Sequence, residues 1–153
     1  MEDFAGAECA RLEDLSALEA AQRTTFAMHT GGVVIECQMK AMIASYHNIR
    51  EWNELGQRKK DPRHGQPISN PGHGLLAALK TMDSLRRVAK TDPLFLRHLD
   101  TVMHPLGSTG ESFIEIRYHA DSNAATSTTD WQKSFKYVGC RYRFAPVLPA
   151  EFC

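Results

Sequence analysis

The chain is short of most features that announce a function. Its 153 residues carry no net charge, with eighteen Lys and Arg against eighteen Asp and Glu. A nucleic-acid or anionic-lipid binder usually shows a basic excess, and none is present here. No apolar run approaches the length needed to cross a bilayer, so no membrane partner is expected. The start, MEDFAGAECARLEDL, is acidic and has neither a basic region nor an unbroken apolar stretch, which excludes a Sec signal of ordinary form. The expected location is cytoplasmic, or a target cell reached by a route that uses no such signal. Cysteine is sparse, at positions 9, 37, 140 and 153, with no CxxC pair. A disulfide scaffold and a cysteine metal framework are both disfavoured. There is no HExxH, no lysine-bearing phosphate loop and no internal repeat, so neither metal nor cofactor is expected.

What is present is a globular composition, 42% apolar and 24% charged. The length suits one domain, 1–153, able to bury about two thirds of its unfolded surface. Charge is uneven along it. Residues 1–22 hold six acids against Arg11, whereas residues 131–153 hold Lys133, Lys136, Arg141 and Arg143 against Glu151.

Apolar spacing predicts helices over 8–28, 36–55, 75–89 and 93–103. Thr30-Gly31-Gly32 reads as a break between the first two. Val33-Val34-Ile35 is either a short extended segment, a candidate third strand, or the buried first turn of the second helix. Asp92-Pro93 opens the fourth helix with an acid at the cap and proline in the first turn. The segment 57–74, with three prolines and three glycines, predicts a long mobile loop. Beyond Gly107 the period changes. Residues 112–119 alternate polar and apolar, and 131–144 read as a second strand bent near Gly139, joined by a loop over 120–130. The expected fold class is therefore α+β: about four N-terminal helices followed by a small antiparallel sheet.

Cys37 follows the glycine pair at the apparent start of a helix. Unpaired amides and the helix dipole there would stabilise a thiolate, the state a cysteine nucleophile requires. The plainer reading is a buried, inert thiol. The stretch Gly32-Val-Val-Ile-Glu36-Cys37, continuing to Ala41, Ile43 and Tyr46, resembles the catalytic helix of spore-coat-type bacterial transglutaminases. Gly139-Cys140-Arg141-Tyr142 echoes a Gly-Asp-Cys-x-Tyr strand of that family without its Asp. The resemblance implies a papain-like core, a Glu36-Cys37 catalytic pair, and thiol attack on a glutamine amide followed by transfer to an amine or water.

Such an enzyme needs a base and a group to orient it. His119, ending the first predicted strand, is the candidate base; Asp130 or Gln132, across the loop, would orient its ring. The basic run Arg58-Lys59-Lys60-Arg63, with Arg86, Arg87, Lys90 and Arg97, could hold phosphate, but such runs are usually solvated. The aromatic and basic residues of 131–144 could stack bases, yet a twisted strand looks the same. Two functions follow. One is a cysteine-dependent acyl transferase or hydrolase acting on a protein substrate, as an effector or toxin module. The other is a non-enzymatic domain that binds a protein partner, as an adaptor, inhibitor or immunity protein.

Overall fold

A computed structural model describes residues 2–56, 59–61, 65–107, 111–121 and 128–143. Six α-helices follow in order: α1 (Phe4–Ala20), α2 (Thr24–His47), α3 (Leu75–Lys80), α4 (Asp83–Thr91), α5 (Pro93–Met103) and α6 (Thr128–Arg143). Among the described residues 3-10 turns also occur at Trp52–Glu54 and Glu115–Tyr118. Among the described residues there is no β-strand, only an isolated antiparallel bridge between Lys60 and Pro67. No helix among them is long and apolar enough to cross a membrane.

The centre of the fold is α2. It packs against α1, α3, α5, α6 and the second 3-10 turn. A helix covered on most sides must be apolar around most of its circumference, and residues from Thr25 to His47 are buried on almost every face. Ile35, Met39, Met42 and Ile43 meet Leu75 and Leu79 of α3, Leu85 of α4, Phe95, Leu99 and Val102 of α5, and Val138 of α6. A smaller cluster joins Leu15 of α1 to Ala27, Met28, Ile116 and Trp131.

The expected α+β class is overturned, together with its papain-like core, and each misreading has a local cause. Residues 131–143 form the larger part of α6, not a strand. Their β-favouring aromatics hide a helical spacing, since the buried Trp131 and Val138 and the partly buried Phe135 are four and three residues apart. Residue 144 lies outside the described residues. The alternation of 112–119 also misleads. Phe113 and Ile116 are the buried pair, three apart, and Tyr118 stands out into solvent. The result is a 3-10 turn, whose residues i and i+3 share a side.

The break between α1 and α2 falls at Gln22 rather than at the glycines. Gln22 adopts φ 56°, and the Arg23 N–H donates to the Leu18 carbonyl at 2.9 Å, a six-residue closure of the Schellman kind. Asn48, at φ 51°, ends α2 the same way, with Ile49 N–H donating to Ala44 O at 2.8 Å. Val33–Ile35 accordingly lie within α2, as neither a strand nor a first turn. Gly31 and Gly32 lie in mid-helix because two rings seat directly on the backbone there. A Cβ on Gly31 would stand 2.5 Å from the Trp131 ring, and one on Gly32 would overlap Phe113. The predicted helix over 75–89 is divided at Thr81-Met82 into α3 and α4. Helix α5 matches its expected bounds, with Asp92 accepting the Leu94 N–H at 3.1 Å.

The described part of the 57–74 segment makes contacts with the residues that precede it. Ile68 is buried, its carbonyl accepts Gly56 N–H at 2.6 Å, and its N–H donates to Lys59 O at 2.9 Å. Residues 57, 58 and 62–64, including Arg58 and Arg63 of the basic run, lie outside the described residues.

Candidate functional site

Cys37 sits thirteen residues after Thr24, the first residue of α2, far beyond the last turn in which helix-start amides can act. The reason offered for a stabilised thiolate is absent. Burial raises the thiol pKa, the neighbouring Glu36 carboxylate raises it further, and Lys40 opposes both. Burial and the Glu36 charge thus disfavour the thiolate, the form a cysteine nucleophile requires.

Glu36 is committed elsewhere. It is buried, 7% exposed, and its Oε1 lies 2.6 Å from Lys40 Nζ one turn on. The His73 Nδ1 approaches its Oε2 at 2.9 Å. Lys40 in turn lies over the rings of Phe4 and Trp52, 5.6 and 5.4 Å from their centroids, and those rings meet edge to face. A carboxylate met by a lysine and an imidazole, with the lysine held over aromatic faces, is a self-satisfied cluster. It fastens the start of α1, the first 3-10 turn and the 65–74 segment onto α2.

His119 has no path to this cluster. Its Nε2 pairs with the Glu111 carboxylate. The residues that follow are tied to the start of α2: Ala120 O accepts the Thr25 hydroxyl at 3.2 Å, and Asp121 accepts the Thr25 N–H at 3.0 Å. Thr25 is twelve residues from Cys37, about 18 Å along the helix axis. Asp130 lies in the first turn of α6, exposed, 3.7 Å from Lys133. Gln132 donates to Glu19 at 3.0 Å. Neither is bonded to His119. No group of three or more His, Cys, Asp or Glu among the described residues could hold a metal. The resemblance to spore-coat transglutaminases, and with it the acyl-transfer and hydrolase reading, is therefore corrected. A helix without a facing sheet carries the Glu-Cys pair, and nothing in the described fold assembles a thiol, base and orienting group.

Several side chains that matter here gave little sign in the sequence. Asp121 caps α2 from 96 residues away and also holds Arg23 Nε at 2.8 Å. These bonds hold its carboxyl below the usual range, the backbone bond from Thr25 first. Along the seam of α5 and α6, His98 Nδ1 meets Ser134 Oγ at 3.0 Å and its ring lies 4.3 Å from that of Tyr137. Tyr137 donates to Asp92 at 2.7 Å, and Arg141 Nε approaches the same oxygen at 3.1 Å. The tyrosine bond is the main reason the Asp92 carboxyl titrates low. His47 Nε2 donates to Thr81 O at 2.7 Å, joining the end of α2 to the end of α3.

What stays available is surface. On α4, Arg86, Arg87 and Lys90 are exposed while Leu85 is fully buried. On α5, Leu94 and Leu96 remain 51% and 42% exposed, next to exposed Arg97. A groove of about 590 Å³ runs between α5 and α6, lined by Leu94, Arg97, His98 and Lys133 among others. Compared with protein-family models, curated proteins and solved structures, the chain matches none.

Proposed function

We propose that this chain is a non-enzymatic protein-interaction module that binds an acidic, leucine-bearing segment of a partner across α4 and α5. The observation that carries the reading is the pair of half-exposed leucines, Leu94 and Leu96, set beside Arg97 and just after the exposed cations Arg86, Arg87 and Lys90. Single exposed apolar residues are ordinary. Leucines interleaved with arginine are the mixture that binding surfaces use: apolar area supplies affinity, and the cations select and steer an acidic partner. Arg86 is 3.5 Å from Asp83, whereas Arg87, Lys90 and Arg97 have no acidic partner among the described residues. Elsewhere Glu36 and His119 are engaged in ion pairs and the Cys37 thiol pKa is raised by burial, which supports binding over catalysis.

The test uses a fluorescent peptide with glutamates one helical turn apart and leucines between them. Polarisation should report binding that weakens with salt, because exposed charge pairs are screened within about 10 Å at 0.1 M. Arg87→Glu with Lys90→Glu should abolish it. Leu94→Ser should weaken it at every salt concentration, and Cys37→Ser should leave it unchanged. Binding that survives the double charge reversal would refute the assignment of this surface.

A further inference from the structure

Helix α1 is thinly covered for its length. Of its seventeen residues only Glu8 and Leu15 are buried. Ala10, Glu13, Ala17 and Ala20 are exposed and recur at helical spacing, so they form one outward face. Half-buried Leu12 borders it. The helix carries Glu8, Glu13, Asp14 and Glu19 against Arg11 alone. Arg11 is spent on Asp14 at 2.9 Å, and Glu19 is bonded to the neutral amide of Gln132. Glu13, in the middle of the outward face, has no cationic partner among the described residues.

The opposite sign is gathered on α4 and α5, where Arg87, Lys90 and Arg97 are exposed beside Leu94 and Leu96. Within one chain α1 packs on α2, and α4 packs on α3 and α5, so the acidic face leaves the basic one uncovered. The whole chain has no net charge, and two copies meet without the long-range repulsion that keeps like-charged proteins apart. A neutral chain with an acidic helix face in one place and a basic, leucine-bearing surface in another is complementary to itself.

We propose that the acidic partner of the α4–α5 surface is a second copy of this chain, whose α1 lies across α4 and α5; this rests on the reading of that surface given above. Glu13 of the incoming helix faces the cations, and its exposed alanines let Leu94 and Leu96 approach. Because the two faces differ, the contact is heterologous. Each copy offers its α4–α5 surface to one neighbour and its α1 to another, and head-to-tail chains grow with concentration. One helix face with few charges makes a small, transient contact.

The experiment is light scattering of the folded chain from about 0.02 to 1 mM in low salt. The weight-average mass should rise to at least about twice that of the monomer, as head-to-tail growth with Kd near 1 mM gives at the upper concentration. It should fall back in about 1 M salt, where charges are screened within about 3 Å. Two altered chains locate the faces. One carries Glu13→Lys with Ala17→Lys, the other Arg87→Gln with Lys90→Gln; these positions are exposed, and circular dichroism checks that both chains fold. Each alone should stay monomeric. Mixed in equal amounts they should associate again, because the first keeps its α4–α5 surface and the second its α1. They should form pairs only, since neutral glutamines give the altered α1 no new partner. A parent chain still monomeric at about 1 mM would overturn the proposal, and binding of the acidic peptide by that same chain would leave the α4–α5 reading standing. Association that survives either pair of substitutions, or a mixture that stays monomeric, would overturn it as well, because the copies would then meet through other faces.

Discussion

Replacing each of three glycines by alanine tests the packing of α2 with one chemical change. In a helix interior the substitution gains about 1 kcal/mol from backbone propensity alone. Gly139 of α6 is such a position. Its added Cβ would meet only Ile35 Cδ1, at 3.8 Å, an ordinary contact. Gly139→Ala should therefore stabilise by about 0.5–1 kcal/mol. Gly32 is the opposite case. A Cβ there would overlap the Phe113 ring and come within 2.7 Å of Phe113 Cβ. Carbon atoms rest about 3.5–4.0 Å apart, so Phe113 must retreat by about 1 Å. It is not free to do so, since its N–H donates to Met103 O at 2.8 Å and its carbonyl accepts His29 Nδ1 at 2.8 Å. Overpacking of this kind costs about 1–3 kcal/mol, and a pinned neighbour puts Gly32 at the upper end. Net of the propensity gain, Gly32→Ala should destabilise by about 2 kcal/mol. Gly31→Ala, against the Trp131 ring at 2.5 Å, should fall between the two. Urea unfolding followed by circular dichroism gives the three values, provided the denaturant slope stays constant. A Gly32→Ala chain as stable as the parent would mean that Phe113 does not seat on the helix backbone, and the reasoning would fail.

The remaining predictions concern the thiol, the core and acid. Iodoacetamide near neutral pH should label exposed Cys9 well before Cys37, whose thiol pKa is raised, and the difference should vanish in denaturant; faster labelling of Cys37 in the folded chain would contradict this. Leu99→Ala and Leu79→Ala, both at buried positions, should each cost about 2–5 kcal/mol by chemical denaturation. Losses below about 0.5 kcal/mol for both would place these side chains on the wrong face. Asp92, Glu115 and Asp121 are held below their ordinary carboxyl range by hydrogen bonds, so they favour the folded state above the unfolded carboxylate pKa of about 4. That stability should disappear as pH falls through the lower folded values, and Asp121→Asn should flatten this acid limb in pH-dependent melting.

Local signals were legible in the sequence, and signals that depend on distant neighbours were not. Asp92-Pro93 announces the start of α5 because both the cap and the proline act within one turn. Gly31-Gly32 announces a turn, yet glycine serves equally where two elements approach closely, and only Trp131, 100 residues beyond Gly31, and Phe113, 81 residues beyond Gly32, tell the cases apart. The true turn falls on Gln22, a residue with no preference for a left-handed backbone. In α6 aromatic composition outweighed the spacing of Trp131, Phe135 and Val138. The candidate site suffered in the same way. Glu36 and Cys37 attract notice as adjacent residues, but their chemistry is decided by His73, Lys40 and burial, of which only Lys40 is near in sequence.

The cap that Asp121 places on α2 has a consequence for how the chain acquires its shape during synthesis. The α1–α2 hairpin emerges early, yet the carboxylate that satisfies the Thr25 N–H and the rings that rest on Gly31 and Gly32 belong to residues 113–131. Until those residues leave the ribosome, the central helix of the fold has an unfinished end and two bare patches of backbone. Its contacts are far apart along the chain, and closing them is slow relative to forming a helix. The hairpin is thus no independent folding unit: the last helix completes the first pair, and a nascent chain halted before residue 113 exposes α2 to whatever chaperone or neighbouring chain will cover it.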